Sequence, residues 1–199
     1  RRRGLLEGNV LDVGGGWGLF REWWSAGGDD RFVVHDPGIE RFRHGAHPGH
    51  ERVFERAFSR PMVFVEGWGE DLPYPDDRFD LVMSASALDH CLDPQAVFRE
   101  AFRVLVPGGT FLIVQHVEDI DTVAPGYHAV GNRARRLVED PSRLIDYIKA
   151  KLQHDHHVHR FTTSSLEKAM RTAGFMRISH DLIETARCAV ATEARKPFG

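Results

Sequence analysis

In the stretch VLDVGGGWGLF, residues 10–20, an acid and a glycine cluster follow a short apolar run. Glycines at 14, 16 and 18 leave no Cβ between the backbone and a ligand, so the chain can turn sharply and a bound molecule can approach it closely. A helix opening at Leu19 would add free amide hydrogens suited to a carboxylate or phosphate. The spacing is G-x-G-x-G. A dinucleotide fingerprint, G-x-G-x-x-G, would need its third glycine at Leu19. Asp12, ahead of the loop, repels a pyrophosphate and suits a ligand with a positive group. Asp36, closing the apolar run RFVVHD, can accept two hydrogen bonds from a ribose diol; its alternative role is to cap the Pro37-Gly38 turn. In this order the features point to a nucleoside-bearing ligand.

Histidine is the usual proton acceptor near neutral pH. His90, in ALDHCLDP, is one candidate base; the alternative is that it steadies the turn before Asp93. His116, at the end of TFLIVQH, is the second, with simple packing as its alternative. The run HDHHVHR at 154–160 is the densest histidine cluster. His157 and His159 would share a face if extended. A metal needs three or four converging ligands, and crowding along the chain supplies no convergence, so the expectation is a solvated loop or substrate lid, and no metal is assigned. HGAHPGH, 44–50, reads as surface. Cys91 and Cys188 are far apart and in no metal-like spacing, which fits a reducing compartment rather than a disulfide scaffold.

These residues are positioned by an alternating pattern. Val10–Val13 reads as a buried strand leading into the glycines. Leu19, Phe20, Trp23 and Trp24 share one face of a helix ended by Gly27-Gly28, which makes both tryptophans core residues. Strands follow at 31–36, 61–67 and 78–86, with residues 39–60 helical in part. Asp93-Pro94 supplies an N-cap and an N1 proline for a helix buried through Val97, Ala101, Val104 and Leu105. Pro107-Gly108-Gly109 then turns the chain into a strand at 110–116. Asp140-Pro141 starts an amphipathic helix with Leu144, Ile145, Ile148 and Leu152 on one side; a lid, a surface helix and a dimer contact are all open for it. Ser164 begins a capping box, Ser-Ser-Leu-Glu, before a helix stopped by Gly174. Two closing strands with a short connection must form an antiparallel hairpin. The fold class is α/β: a doubly wound, Rossmann-like, seven-stranded, mostly parallel sheet ending in a C-terminal antiparallel hairpin. Residues 1–199 are expected to form one domain with a lid-like insertion at about 117–160.

The chain's 199 residues suit one domain with a substantial core. A formal net charge of −3 gives no global pull toward nucleic acid or anionic membrane. No apolar run approaches the roughly 20 residues of a membrane span, and no secretory signal is visible. A cytoplasmic location is therefore expected, without nucleic-acid or membrane partners.

The segments VLDVGGGWG, VVHDPG, GWGEDLPYPDDRFDLVMSASALDHCLDP, FREAFRVLVPGGTFLIV and HRFTTSSLEKAMRTAGF resemble the class I S-adenosylmethionine-dependent methyltransferases, in their small-molecule branch (type 11-like). The run EDLPYPDDRFDLV followed by LVPGG carries most of that likeness. The resemblance implies S-adenosyl-L-methionine as cofactor and methyl transfer to a small-molecule acceptor by in-line displacement. Its main task would be to hold acceptor and methyl about 3 Å apart and aligned. It implies that Gly14, Gly15, Gly16 and Gly18 hold the methionine part, that Asp12 lies near the cofactor's amino group, and that Asp36 binds the ribose hydroxyls. Trp68, Gly69, Glu70 and Asp71 would lie against adenine, and Ser84 and Ala85 would line the sulfur side.

One position departs from the family. Its members often carry Asp or Asn where this chain has Trp68, and an indole has only an N–H donor with which to meet the adenine amino group. Stacking on adenine, packing into the core, and weakened cofactor binding are all open, and Glu70 can supply the missing acceptor. The alternative function is a non-catalytic cofactor-binding protein of the same fold. A dinucleotide dehydrogenase is disfavoured by the glycine spacing.

Overall fold

The structure, a computed structural model, describes residues 6–25, 31–38, 50–119, 158–183 and 189–198. The helix expected at 141–152, the Gly27-Gly28 stop, Cys188 and most of the two histidine runs lie outside the described residues.

Nine strands and four α-helices are described. The strands are β1 (Leu6–Glu7), β2 (Val10–Val13), β3 (Trp24–Ser25), β4 (Phe32–Asp36), β5 (Val63–Glu66), β6 (Phe79–Ala85), β7 (Leu105–His116), β8 (Met176–Leu182) and β9 (Ala189–Arg195). The helices are α1 (His50–Val53), α2 (Glu55–Ser59), α3 (Pro94–Val104) and α4 (Thr163–Ala173). Seven strands form the main sheet in the order β5-β4-β2-β6-β7-β9-β8. Only β9 runs against its neighbours. The expected fold class is therefore what forms. The chain leaves β2 toward β4 and β5, then returns to β6 on the other side of β2. That reversal opens a crevice beyond the carboxyl ends of β2 and β6.

β2 and β4 are buried at every residue, as strands covered on both faces must be. One face packs Leu11, Val13, Val82, Phe111 and Ile113 beneath α3 and α4; the other packs Val10, Phe32, Val34 and Met83 with Trp24. Asp93 caps α3 as expected, its Oδ1 accepting from the Gln95 amide at 2.9 Å, with Pro94 in the first turn. Gly174 ends α4 at φ 107°, and a Cβ there would lie 2.9 Å from the Phe102 ring.

Five local expectations are corrected. The helix after the glycine loop is a 3₁₀ turn, Leu19–Trp23, after which the chain extends as β3 and pairs with β1. The cause is tertiary: the Trp24 ring sinks into the second core and donates its indole N–H to the Gly8 carbonyl at 3.1 Å. Trp23 is left 42% exposed, leaning on Phe20 and Phe54, so it is not core. So short a turn also lacks the N-terminal dipole of a long helix as an anion site. Pro107-Gly108-Gly109 does not break the strand but bulges within β7, since Phe79 pairs with Leu105 while Leu81 pairs with Thr110. Leu105 is thus the first residue of that strand, not the last of the helix. Finally, Thr162 rather than Ser164 caps α4, because it exchanges hydrogen bonds reciprocally with Ser165, at 3.0 and 2.8 Å.

Candidate active site

A cavity of about 600 Å³ opens at the crevice. Gly14, Asp36, Trp68, Gly69, Glu70, Ser84 and His90 line it, so most of the candidate residues converge there from the ends of four strands, β2, β4, β5 and β6. Val13, Pro37, Gly38, Ser86, Ala87 and Cys91 complete the wall. Asp12, Gly15, Gly16, Gly18 and His116 do not line it. His116 is exposed at the end of β7, one strand further from the seam between β2 and β6.

The loop and the acid after β4 are joined directly. The Gly16 amide donates to Asp36 Oδ2 at 3.1 Å, and the Gly38 amide to Oδ1 at 2.7 Å. Asp36 therefore caps the Pro37-Gly38 turn and also grips the loop, each oxygen keeping lone-pair capacity toward the cavity. Gly14 adopts φ 71°, and a Cβ there would lie 2.3 Å from the Ala87 Cβ. Glycine is required at that point because the segment after β6 crosses against the loop.

Asp12 is wholly buried beneath the loop, and neither carboxylate oxygen has a hydrogen-bond partner among the described residues. A Cβ on Gly15 would sit 2.3 Å from its Cγ, so the glycine roof is what admits it. Burial pushes the Asp12 carboxyl up to about 7, the nearby Asp36 charge adds to this, and Arg21 opposes it. The Arg21 guanidinium, itself buried, donates to the carbonyls of Gly18, Trp17 and Arg60 at 3.0, 3.1 and 2.6 Å and so clamps the loop from behind.

Trp68 is 57% exposed on the cavity wall, so the core alternative is excluded. Glu70 Oε1 accepts from the Leu92 amide at 2.8 Å, which ties the Trp68 turn to the start of α3. The loop after it is held by Arg103, which donates to the carbonyls of Leu72 and Tyr74 and to Asp76 and Glu100. Ser84 Oγ is buried, unpartnered among the described residues and part of the cavity wall. Ser86 takes φ 50°, a strained conformation for a residue with a side chain, placed against the ligand space.

His90 ends a 3₁₀ turn, Leu88–His90, with Nε2 3.9 Å from Asp89 Oδ1. His159 donates from Nε2 to the Cys91 carbonyl at 2.9 Å, and the amides of Val158 and His159 reach the Asp89 carbonyl. His159 thus braces this turn. Among the described residues no group of three or more His, Cys, Asp or Glu side chains is placed to hold a metal. The Cys91 thiol, pushed up to about 12 by burial and by the charges of Glu70 and Asp89, stays protonated and is not a nucleophile. Sequence reasoning missed His35, Arg21 and Tyr74. For His35 the available signal was a polar residue inside a strand buried on both faces; Arg21, in a 3₁₀ turn, and Tyr74, in a loop, carry no such signal.

The sequence profile of the methyltransferase domain family matches residues 11–113, from the loop through β7. The chain belongs to this family. It is an S-adenosylmethionine-dependent methyltransferase. A ubiquinone/menaquinone biosynthesis C-methyltransferase from Methylobacterium nodulans is 28% identical over 196 residues, spanning 91% of this chain and 71% of that protein. A protein of the same description from Nitrobacter hamburgensis is 36% identical over 108 residues, 53% of this chain and 41% of that one. The fold of the methyltransferase is shared with SAM-dependent methyltransferases from Thermotoga maritima (TM-score 0.61, 20% identity, 96% of this chain and 83% of that chain) and Aquifex aeolicus (0.61, 15%, 98% and 85%). No described helix of the methyltransferase is long and apolar enough to cross a membrane.

Proposed function

We propose that the chain methylates a small-molecule acceptor, with the cofactor held in the crevice between the glycine loop and the Trp68 turn. The observation that carries this reading is the pair of hydrogen bonds by which Asp36 spans from Gly16 to Gly38 while facing the cavity. When bound, the cofactor supplies an electrophilic methyl on a sulfonium whose leaving group is neutral. The residues present fit it. The carboxylate of Asp12, buried and unpartnered among the described residues, lies beneath the loop and favours a cationic methionine end by its charge rather than by contact, and Asp36, in the cavity wall, offers lone pairs to a ribose diol. Ser84 Oγ is an orphaned hydroxyl at the seam. Trp68 offers an exposed indole face for adenine. Gly14, Gly15, Gly16 and Gly18 shape the loop, Gly69 and Glu70 the opposite wall. We read residues 1–199 as one such domain.

Calorimetric titration tests this. S-adenosylmethionine and its demethylated product are expected to bind, and NADH to give no fluorescence change. Absence of heat at millimolar cofactor would overturn the reading.

His90 is our choice of proton acceptor, because it lines the cavity while His116 does not. The turn Leu88–His90 presents it at the cavity beside Asp89, with Nε2 3.9 Å from Oδ1. In His90→Gln, affinity for the demethylated product is expected to be unchanged, while turnover falls by about a hundredfold. Turnover within about threefold of the wild type would remove His90 from this role. The C-methyltransferase relatives favour a carbon acceptor among the alternatives; carbon NMR of the product made with a ¹³C-methyl-labelled cofactor distinguishes C-, N- and O-methyl groups by chemical shift.

A further inference from the structure

His35 precedes Asp36 on β4 and is 1% exposed, a polar side chain inside a strand buried on both faces. Its ring lies directly under the chain entering the Trp68 turn: a Cβ on Gly67 would be 2.6 Å from His35 Cε1, so only glycine lets that backbone descend onto the imidazole. Nε2 is 3.2 Å from the Trp68 carbonyl, and Nδ1 is 3.2 Å from the Tyr74 hydroxyl. A carbonyl can only accept, so Nε2 carries the proton and donates to it. The neutral ring then leaves Nδ1 to accept from Tyr74. Burial lowers the pKa of His35 and pushes Tyr74 up to about 12, so both groups remain neutral and this tautomer persists at neutral pH. Tyr74 meets His35 and Phe79 edge-on at 5.7 and 5.1 Å, and its own carbonyl is held by Arg103 at 2.7 Å.

We propose that His35 is a positioning residue of the cofactor site: by donating to the Trp68 carbonyl from the residue next to Asp36, it sets the Trp68–Gly69–Glu70 turn at a fixed distance from that carboxylate. The two walls meant for adenine and ribose are thereby registered against each other through one ring. A leucine could fill the same volume and keep the core packed. What it would lose is the donor aimed at a turn that lines the cavity. The inference rests on the crevice being the cofactor site.

The test is calorimetry with S-adenosylhomocysteine on the whole chain. In His35→Leu, Kd is expected to rise about tenfold, the scale of one net hydrogen bond. In His35→Gln, whose terminal amide can still donate to the Trp68 carbonyl, it stays within about threefold of wild type. His35→Asn, polar but too short to reach that carbonyl, is expected to match the leucine variant and replaces it if the latter does not fold. Equal affinities for Leu, Asn and wild type, or a Gln variant as weak as Leu, would reduce His35 to a packing residue and overturn the proposal while leaving the cofactor site intact. A wild-type chain that binds no S-adenosylhomocysteine would bring down both readings together.

Discussion

Replacing Asp12 by Asn is expected to raise stability above pH 7 and to leave it unchanged below pH 4. The native carboxyl ionises at about 7, against an ordinary value of 3.8, because burial and then the Asp36 charge disfavour the anion, and no hydrogen-bond partner among the described residues offsets them. Below that lower value both folded and unfolded chains hold the proton, and the group costs nothing. Between the two values the unfolded chain ionises while the native one keeps its proton, so native stability falls as pH rises. Above the folded value the full cost is present, on the order of 4 kcal/mol. Asparagine cannot ionise and does not incur it. Urea unfolding at pH 4, 6 and 8 should show variant and wild type converging at the acid end and separating progressively toward alkali. Curves that stay parallel would mean that Asp12 is solvated or paired in the native state. Ligand binding should move the other way. A cationic methionine end favours ionised Asp12, so wild-type affinity for S-adenosylhomocysteine gains through neutral pH, and the Asn variant shows no such gain. A group that weakens the fold at working pH yet matches the charge of the ligand is what a binding site retains.

The second large effect is expected from Asp36→Ala: about a hundredfold loss of cofactor affinity. Two charge-assisted hydrogen bonds to a ribose diol account for that scale. The substitution also releases the amides of Gly16 and Gly38, which now donate to the two carboxylate oxygens. Asp36→Asn keeps one acceptor oxygen and should fall between alanine and wild type. Competition between the cofactor and adenosine gives a second readout: the alanine variant should lose affinity for both, whereas a defect confined to the loop would spare adenosine. Affinity within threefold of wild type in Asp36→Ala would move the nucleoside away from β4.

Most of the fold was legible because its signals are local. The apolar runs of β2, β4 and β6, the Asp93-Pro94 start of α3 and the Gly174 stop each depend on neighbours a few residues away. The errors came where a distant partner decided. Trp24 leaves helical spacing because the Gly8 carbonyl and the second core claim its ring. Pro107-Gly108-Gly109 bulges rather than turns because β6 continues to pair beyond it. The candidate site shows the same division. Glycines and acids following strands declare themselves by order along the chain, whereas Arg21 and His35 act on carbonyls that only folding brings near, 39 and 33 residues away for Arg60 and Trp68. His116 looked equivalent to His90 because both follow strands. The sheet order, invisible in the sequence, places one at the seam and the other a strand beyond it.

The bracing of Asp36 between Gly16 and Gly38 has a kinetic side. Both lips of the ligand space are held by hydrogen bonds between protein groups, so the conformational entropy of that loop is lost when the chain folds and not when the nucleoside arrives. Encounter should then be close to rigid docking at this end, and differences in affinity among variants elsewhere in the wall will show chiefly in how fast the ligand leaves.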